Sequence, residues 1–421
     1  MKAALSKSIQ LSQSRQLWII LAVSVILQVL ITLFARQPVP YDTQSYLDAA
    51  RLLRGGEIDI FRTPVYPALI AAAQYIAGDM ALQAVVLFQT FVFYVSVVCL
   101  YGICVSLRLS RIWVLLTTCA YAFCPEILRF NALVLTEPLA VSGCVFLTAA
   151  YIRFMRRADW GSFAGVLFML IFLIFLRPSF SYIPIVLTVI GVWCLCRRRY
   201  RCGAGLVAAV VIGVVMLLGY CRMVEKRCGV FTPSVVSVIN QCTQAQKIKL
   251  ITFGELLVKE QQWRQEVGEE NADGYIAGVS CQVVDRTLTH FKSNPIAWYW
   301  PLIKYNFPGF ISSPVIVIGG IGIFLTFGQL CLIMLLMVGG IVWRAAHAGR
   351  VNLMAVFLWM MCAGNLVVIY LGTYNAWDRL FLPSYTLFIL MCAVAGNRFR
   401  LTYKSVTCDD EQSVAKQGEI G

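Results

Sequence analysis

Ten uncharged apolar runs, most of them close to twenty residues long, divide this 421-residue chain and constrain its fold more than any other feature. About 20 such residues cross a bilayer as an α-helix, because a helix satisfies its own backbone hydrogen bonds in lipid. The runs predict transmembrane helices at 17–35, 80–107, 112–125, 138–152, 160–176, 179–196, 202–221, 314–343, 351–373 and 380–397. We therefore expect an all-α polytopic membrane protein with about ten spans.

The composition excludes several classes of protein. Hydrophobic residues make up 59% of the chain and charged residues only 13%, about half the charged fraction of a soluble domain. This excludes a soluble enzyme, a secreted disulfide scaffold and a disordered chain, and the continuous apolar runs exclude an outer-membrane barrel. With two histidines in the chain, a histidine-rich metal site is also excluded. The sequence predicts no firm cofactor and leaves a divalent metal open.

The distribution of charge predicts the orientation in the membrane. If the N-terminus is cytoplasmic, 18 basic and five acidic residues fall on the inner side, and 17 basic and 16 acidic residues fall on the outer side. Basic residues in short loops mark the inner face, so the net charge of +14 reflects topology and not a nucleic-acid partner. We expect outer segments at 36–79 and 222–313, the second being a small domain between the seventh and eighth spans. Residues 1–397 would form one unit, followed by a disordered cytoplasmic tail at 398–421.

The first outer segment contains a predicted amphipathic helix. Asp42 stands at its expected N-cap, and Gly55-Gly56 stands where the helix should stop. A second apolar helix, after Arg62 and up to Ala77, is short for a span and is expected to lie in the membrane interface. Asp42 has two interpretations that are compatible: a helix cap, or a carboxylate that takes a proton from a hydroxyl. Arg62 is either an anchor to lipid headgroups or a functional group.

Other charged residues stand at the predicted outer ends of spans. They are Arg129, Glu137, Arg177 and Arg379. Each arginine could simply extend to the interface along its aliphatic stem. Together with Arg62, however, they place four guanidinium groups on the side that is rich in carboxylates. Guanidinium grips a phosphate through two parallel hydrogen bonds, so the set favours a phosphate ligand.

Several of these motifs, in this order, resemble those of the GT-C superfamily of integral-membrane glycosyltransferases. More narrowly, the chain resembles the bacterial relatives of protein mannosyltransferases and of the lipid A aminoarabinose transferase. The motifs are Asp42-x-x-x-Tyr46-x-x-x-Ala50, Arg62-Thr63-Pro64-x-Tyr66-Pro67, Leu135-Thr136-Glu137-Pro138-Leu139, Leu176-Arg177-Pro178, Asn294-Pro295 with Tyr299, and Asp378-Arg379 with Pro383. They extend from residue 42 to residue 383, which is most of the chain.

The resemblance implies an inverting glycosyltransferase that moves a sugar from a polyprenyl-phosphate donor to a hydroxyl of a glycan, lipid or protein acceptor. The enzyme would lie in the cytoplasmic membrane of a bacterium with its active site on the outer, periplasmic face. Asp42 would be the catalytic base, and Arg62, Arg177 and Arg379 would bind the donor phosphate. Glu137 and Asp378 would support the cavity, and Arg129 is added from its position alone.

Two points stay open at this stage. The aminoarabinose branch of the family binds a metal through a Glu and a His, and His290 could imitate that ligand, although no local motif supports it. The rival functions are a polysaccharide polymerase or ligase, and a lipid-linked sugar flippase. A flippase would be expected to show charges in mid-span and inverted repeats, whereas here the charges cluster at one face and no repeat is found.

Overall fold

The computed structural model describes residues 2–34, 41–267, 274–276, 279–318, 321–348, 352–372 and 377–418. Its helices are α1 Lys2–Phe34, α2 Tyr41–Arg54, α3 Val65–Ala77, α4 Ala81–Ser106, α5 Arg111–Ala122, α6 Pro125–Asn131, α7 Glu137–Arg157, α8 Trp160–Leu176, α9 Ile183–Cys196, α10 Tyr200–Cys228, α11 Val235–Lys247, α12 Phe253–Val267, α13 Cys281–Lys292, α14 Pro295–Ser312, α15 Phe327–Ala348, α16 Leu353–Gly372 and α17 Trp377–Gly418. Two antiparallel hairpins pair β1 Gly274–Ile276 with β2 Val279–Ser280, and β3 Pro314–Ile318 with β4 Ile321–Thr326. The chain is a helical polytopic membrane protein.

Nine of the ten predicted runs coincide with apolar helices and the run 314–343 does so only in part, and fewer than ten of these helices are long enough to cross a membrane alone. Within the described ranges, seven helical segments are sufficiently long and apolar, and an eighth is the pair α5 and α6, bent by 44°. Trp160–Leu176 and Phe327–Gly340 are apolar but shorter. The polytopic class is thus confirmed, whereas the count of ten stays a prediction.

One predicted span is wrong over its first part. The run 314–343 was expected to be a single helix, but β3 and β4 occupy its first residues and α15 begins only at Phe327. The reason is visible in the sequence, where Val and Ile dominate the residues after Pro314 and two glycines follow at 319 and 320. Branched β-carbons favour extended backbone, and paired apolar runs around Gly-Gly are typical of a hairpin.

The last helix extends beyond the predicted start of the tail. It is α17, which continues through residue 397 and ends only at Gly418. Between Pro383 and Gly418 the chain contains one glycine and no further proline, so no residue after 397 breaks the helix before that point. Whether residues 398–421 form a disordered cytoplasmic tail stays a prediction.

The helix α3, which was expected to lie in the interface, is not separated from the next span. A short 3₁₀ turn, Gly78–Met80, joins it to α4, and Val65–Ser106 forms one apolar stretch of 42 residues. Gly78 has a φ of 53°, a conformation that a glycine adopts without strain. Whether α3 lies in the interface stays a prediction.

Two hydrophobic cores hold the molecule together. The larger one lies among the apolar helices and includes the fully buried Phe93, Tyr151 and Phe381. The smaller one packs α11 and α13 against the end of α10 and contains Cys228, Cys242 and Cys281. Ile58, Ile60 and Phe61 of the first outer segment pack against this second core. The two outer segments are therefore parts of one packed surface.

Candidate functional site

Asp42 lies in the first turn of α2 and not at its cap. The helix begins at Tyr41, so the expected N-cap position is wrong by one or two residues. The Asp42 carboxylate instead forms two ion pairs: Oδ1 lies 2.7 Å from Nη2 of Arg62, and Oδ2 lies 2.7 Å from Nη2 of Arg379. The carboxylate is thus committed to arginines on two other segments, and the capping interpretation does not account for it.

Arg62 is fixed by contacts along its whole guanidinium. Its Nε donates to Oγ of Ser45 at 2.8 Å, its Nη1 donates to the hydroxyl of Tyr46 at 3.4 Å, and its Cζ lies 4.4 Å from the centroid of the Tyr46 ring. Its backbone N–H donates to Asp59, which closes the turn before it. Ser45 and Tyr46 follow Asp42 by three and four residues and share its helix face. That spacing could have identified them from the sequence.

Arg379 links the first outer segment to a buried carboxylate. It lies in the first turn of α17, and its Nε donates to Oε1 of Glu137 at 2.5 Å while its Nη2 pairs with Asp42. Glu137 begins α7 and is completely buried. One arginine therefore bridges two carboxylates that are 95 residues apart in the chain.

Arg177 completes the cluster from the other side of Glu137. It follows the end of α8, and Pro178 after it ends the helical backbone pattern there. Its Nη1 lies 3.4 Å from Oε1 of Glu137. Neither this nitrogen nor Oε2 of Glu137 has a hydrogen-bond partner among the described residues. Both atoms therefore keep hydrogen-bonding capacity beside the ion pairs.

Charges of both signs are concentrated in the cluster. Three guanidinium groups pair with two carboxylates, and the charge of a third carboxylate, Asp59, also interacts with Arg62. Burial disfavours the charged form of Asp42, but Arg62 and Arg379 outweigh burial and hold the pKa of this carboxyl below its ordinary value. Asp42 is therefore ionised at neutral pH.

The cluster opens into a cavity of about 520 Å³. One wall carries Asp42, Arg62, Arg177 and Arg379. A second part of the lining, the α11 wall, carries neutral polar side chains, and these are Ser234, Ser237, Asn240 and Gln241. Sequence analysis missed this second wall, because no charge or motif distinguishes α11 from a solvated helix.

An apolar groove adjoins the cavity. It has a volume of about 240 Å³ and shares Gln241, Val368 and Gly372 with the cavity. Trp298 and Leu302 of α14 contribute to its walls, together with residues of α16. The combined space thus has a charged part, a neutral polar part and an apolar part.

Two predicted residues lie outside this cluster. Arg129 pairs with Glu126, at 2.8 Å between Nη2 and Oε2. Asp378 is adjacent to Arg379 in the chain, and it lies close enough to Glu126 for their charges to interact. Neither Arg129 nor Asp378 lines the cavity. Glu126, which is almost fully buried, was not singled out from the sequence.

No group of three or more potential metal ligands is found among the described residues. His290 lies at the end of α13, where it is exposed and packs edge-on against Phe291. The dependence on a divalent metal stays open.

The structure thus brings together five of the seven residues named from the sequence, which are Asp42, Arg62, Glu137, Arg177 and Arg379, and their roles stay predictions. Neither a family model nor a curated protein matches the chain.

Proposed function

We propose that the chain is an inverting membrane glycosyltransferase that takes its sugar from a polyprenyl-phosphate donor. The observation that carries the proposal is the Asp42 carboxylate held between Arg62 and Arg379 in the wall of a cavity. Such a site joins a candidate base to groups that bind a phosphate. The acceptor is a hydroxyl of a glycan, lipid or protein. The site would face the outer side of a bacterial cytoplasmic membrane.

The phosphate, the lipid and the sugar of the donor each match the chemistry of one part of the combined cavity and groove. The phosphate lies against the arginines, whose guanidinium groups donate hydrogen bonds to it. The lipid chain enters the apolar groove at Trp298 and Leu302, and the sugar occupies the cavity. This arrangement explains why the site lies beside apolar helices that are long enough to cross a membrane.

The reaction is a single displacement. The acceptor oxygen attacks the anomeric carbon and forms the new C–O bond, while the bond between that carbon and the phosphate oxygen breaks. The electron pair of the broken bond stays on the phosphate, where Arg62, Arg177 and Arg379 stabilise the developing charge. Asp42 takes the proton of the acceptor hydroxyl.

The ion pairs of Asp42 give this mechanism an order of events. In the ligand-free protein both oxygens of Asp42 are paired with arginines, which makes the carboxylate a weak base. A donor phosphate competes for the same guanidinium groups. When a donor binds, Asp42 loses part of its pairing with the arginines and becomes more basic. Asp42 therefore acts as a base only in the complex with the donor.

The test is transfer by the purified protein reconstituted in lipid nanodiscs. Labelled polyprenyl-phosphate sugars are supplied together with a polyprenyl-linked glycan acceptor, and the release of polyprenyl phosphate is followed. Asp42→Asn should lower the rate about 10²- to 10⁴-fold, while Asp48→Asn, an exposed carboxylate on the same helix, should keep it. Equal rates for Asp42→Asn and the parent would refute the role of Asp42. Transbilayer movement of an unaltered donor lipid in vesicles, without release of polyprenyl phosphate, would favour a flippase instead.

A further inference from the structure

The α11 wall of the cavity differs in chemistry from the wall that carries the arginines. Arginine only donates hydrogen bonds and an ionised aspartate only accepts them, whereas hydroxyl and amide side chains do both. Sugar hydroxyls also donate and accept. A wall of Ser234, Ser237, Asn240 and Gln241 therefore suits a polyhydroxy group better than it suits a phosphate.

This wall is held in a fixed position relative to Arg62. The backbone N–H of Val235 donates to the carbonyl of Ile60 at 2.9 Å, and Oγ of Ser234 donates to the carbonyl of Phe61 at 2.5 Å. The start of α11 is thus tied to the residues directly before Arg62. A sugar between the two walls would meet a preformed surface, which lowers the entropic cost of binding it.

Asn240 differs from its neighbours on the wall because its side-chain amide has no hydrogen-bond partner within the described ranges. Ser234 is bonded to Phe61, Ser237 donates to the carbonyl of Ser234 at 2.7 Å, and Lys292 donates to Gln241. The amide of Asn240 is half-buried and keeps two donors and an acceptor for a ligand.

The α11 wall extends from the residues beside Arg62 to the apolar groove. The end of the helix near Ser234 adjoins Phe61, next to Arg62. Gln241, seven residues later, lies where the cavity meets the apolar groove. Asn240 lines the cavity but not the groove, so it adjoins the space that the proposed function gives to the sugar and not the space that it gives to the lipid.

We infer that Asn240 is a specificity-determining residue that hydrogen-bonds hydroxyls of the transferred sugar. The inference rests on the proposed function and adds to it a second subsite, chemically separate from the phosphate site. Loss of the amide removes affinity for the sugar and leaves affinity for the lipid phosphate unchanged, because the arginines bind that part.

The experiment compares binding of a polyprenyl phosphate with binding of the same lipid phosphate bearing a hexose, a deoxyhexose or a pentose. Affinities are measured for the parent, Asn240→Ala and Gln246→Ala in nanodiscs. Gln246 lies on the same helix but lines neither the cavity nor the groove. In the parent, one sugar-bearing lipid should bind more tightly than the bare lipid. Asn240→Ala should bind that sugar-bearing lipid roughly 3- to 10-fold more weakly than the parent does, and Gln246→Ala should bind it as tightly as the parent.

Different results would contradict the proposed function and the inference about Asn240. If the parent binds no polyprenyl phosphate, the proposed function fails. If the bare lipid phosphate binds, but no sugar improves binding or Asn240→Ala retains the full gain, the inference about Asn240 is overturned while the phosphate site stands. Normal binding of the bare lipid by Asn240→Ala also shows that this variant is folded.

Discussion

At the scale of single residues, two opposing effects set the pKa of the Asp42 carboxyl. Burial raises the pKa of its carboxyl, while the charges of Arg62 and Arg379 lower it, and in the ligand-free protein the arginines prevail. A bound phosphate would neutralise the arginines but would not restore water to the site. The effect of burial then exceeds the effect of the arginine charges, so the pKa of Asp42 should rise when the donor binds.

This shift predicts two different pH profiles. The profile of kcat/KM reports the free enzyme and that of kcat reports the bound complex. Asp42 must be ionised to act as a base, so both quantities should fall as the pH falls through its pKa. The fall in kcat should occur at the higher pH, because the pKa of Asp42 is higher in the complex. Between pH 4 and pH 8, initial rates should show the acid limb of kcat, whereas kcat/KM should stay level, because the pKa of Asp42 in the free protein lies below its ordinary value of 3.8. An acid limb of kcat/KM at the same pH as that of kcat would contradict the exchange of partners.

The arginines should differ in their tolerance of lysine. Arg379 uses two nitrogens to bridge Asp42 and Glu137, and a single ammonium cannot reproduce that geometry. We expect Arg379→Lys to lose activity almost as completely as Arg379→Ala. Arg177, whose shortest described ion pair to Glu137 measures 3.4 Å, should retain partial activity as lysine.

Donor affinity and turnover for the Lys and Ala variants of Arg62, Arg177 and Arg379 test this ranking. Arg51, an exposed residue on α2, provides the matched control, and Arg51→Ala should behave as the parent. Normal binding and turnover in all three Ala variants would place the phosphate site elsewhere.

At the scale of secondary structure, the segment between α6 and α7 is held by a side chain from another helix. Gln89 of α4 is fully buried, and its amide donates to the carbonyls of Asn131 and Leu133 at 2.9 Å and 2.5 Å. Its Oε1 accepts a hydrogen bond from the hydroxyl of Tyr66. Glu137 begins the next helix only four residues after Leu133. Gln89 therefore helps to set the position from which Glu137 meets its arginines.

Replacing this amide should affect both stability and activity. Gln89→Leu removes the amide donor from the carbonyls of Asn131 and Leu133 and the acceptor of the buried Tyr66 hydroxyl, which should cost about 1–3 kcal/mol of folding free energy. The matched control is Gln83→Leu, an exposed position on the same helix. Thermal unfolding in detergent and the transfer rate are the two measurements. If Gln89→Leu melts and turns over like Gln83→Leu, the segment does not depend on this contact.

The sequence was sufficient to predict those elements whose signal is local. The amphipathic pattern and the Gly55-Gly56 stop predicted α2. The motifs named all five residues that the ion pairs join, which are Asp42, Arg62, Glu137, Arg177 and Arg379. The β3–β4 hairpin was missed because its Val and Ile residues are as apolar as those of a membrane helix. The α11 wall was missed because its role depends on long-range packing against Phe61.

At the scale of the whole molecule, the ion cluster and the basic loops lie at opposite ends of the same helices. Glu137 begins α7, and Arg156 near its end donates to the carbonyl of Ser106 in another basic loop. Its 21 residues span about 30 Å, which equals the thickness of the hydrocarbon core. α17 likewise runs from Arg379 in the site to Asn397, whose side chain accepts from the N–H of Ser110. This separation agrees with the orientation that the charge distribution predicts.

The orientation itself can be tested by labelling from one side of the membrane. Asp48→Cys on α2 should react with an impermeant maleimide in intact cells, because the site end should face outwards. Arg201→Cys, at the exposed start of α10, should react only after permeabilisation, because basic residues in short loops stay inside. Both variants require a background in which Cys196, which is exposed near the inner position, and Cys408 of the predicted tail are replaced by Ser. The parent of that background, without a new cysteine, measures the labelling of the other thiols. Labelling of Arg201→Cys in intact cells would invert the topology and move the ion cluster to the cytoplasmic face, where a donor on the outer leaflet could not reach it.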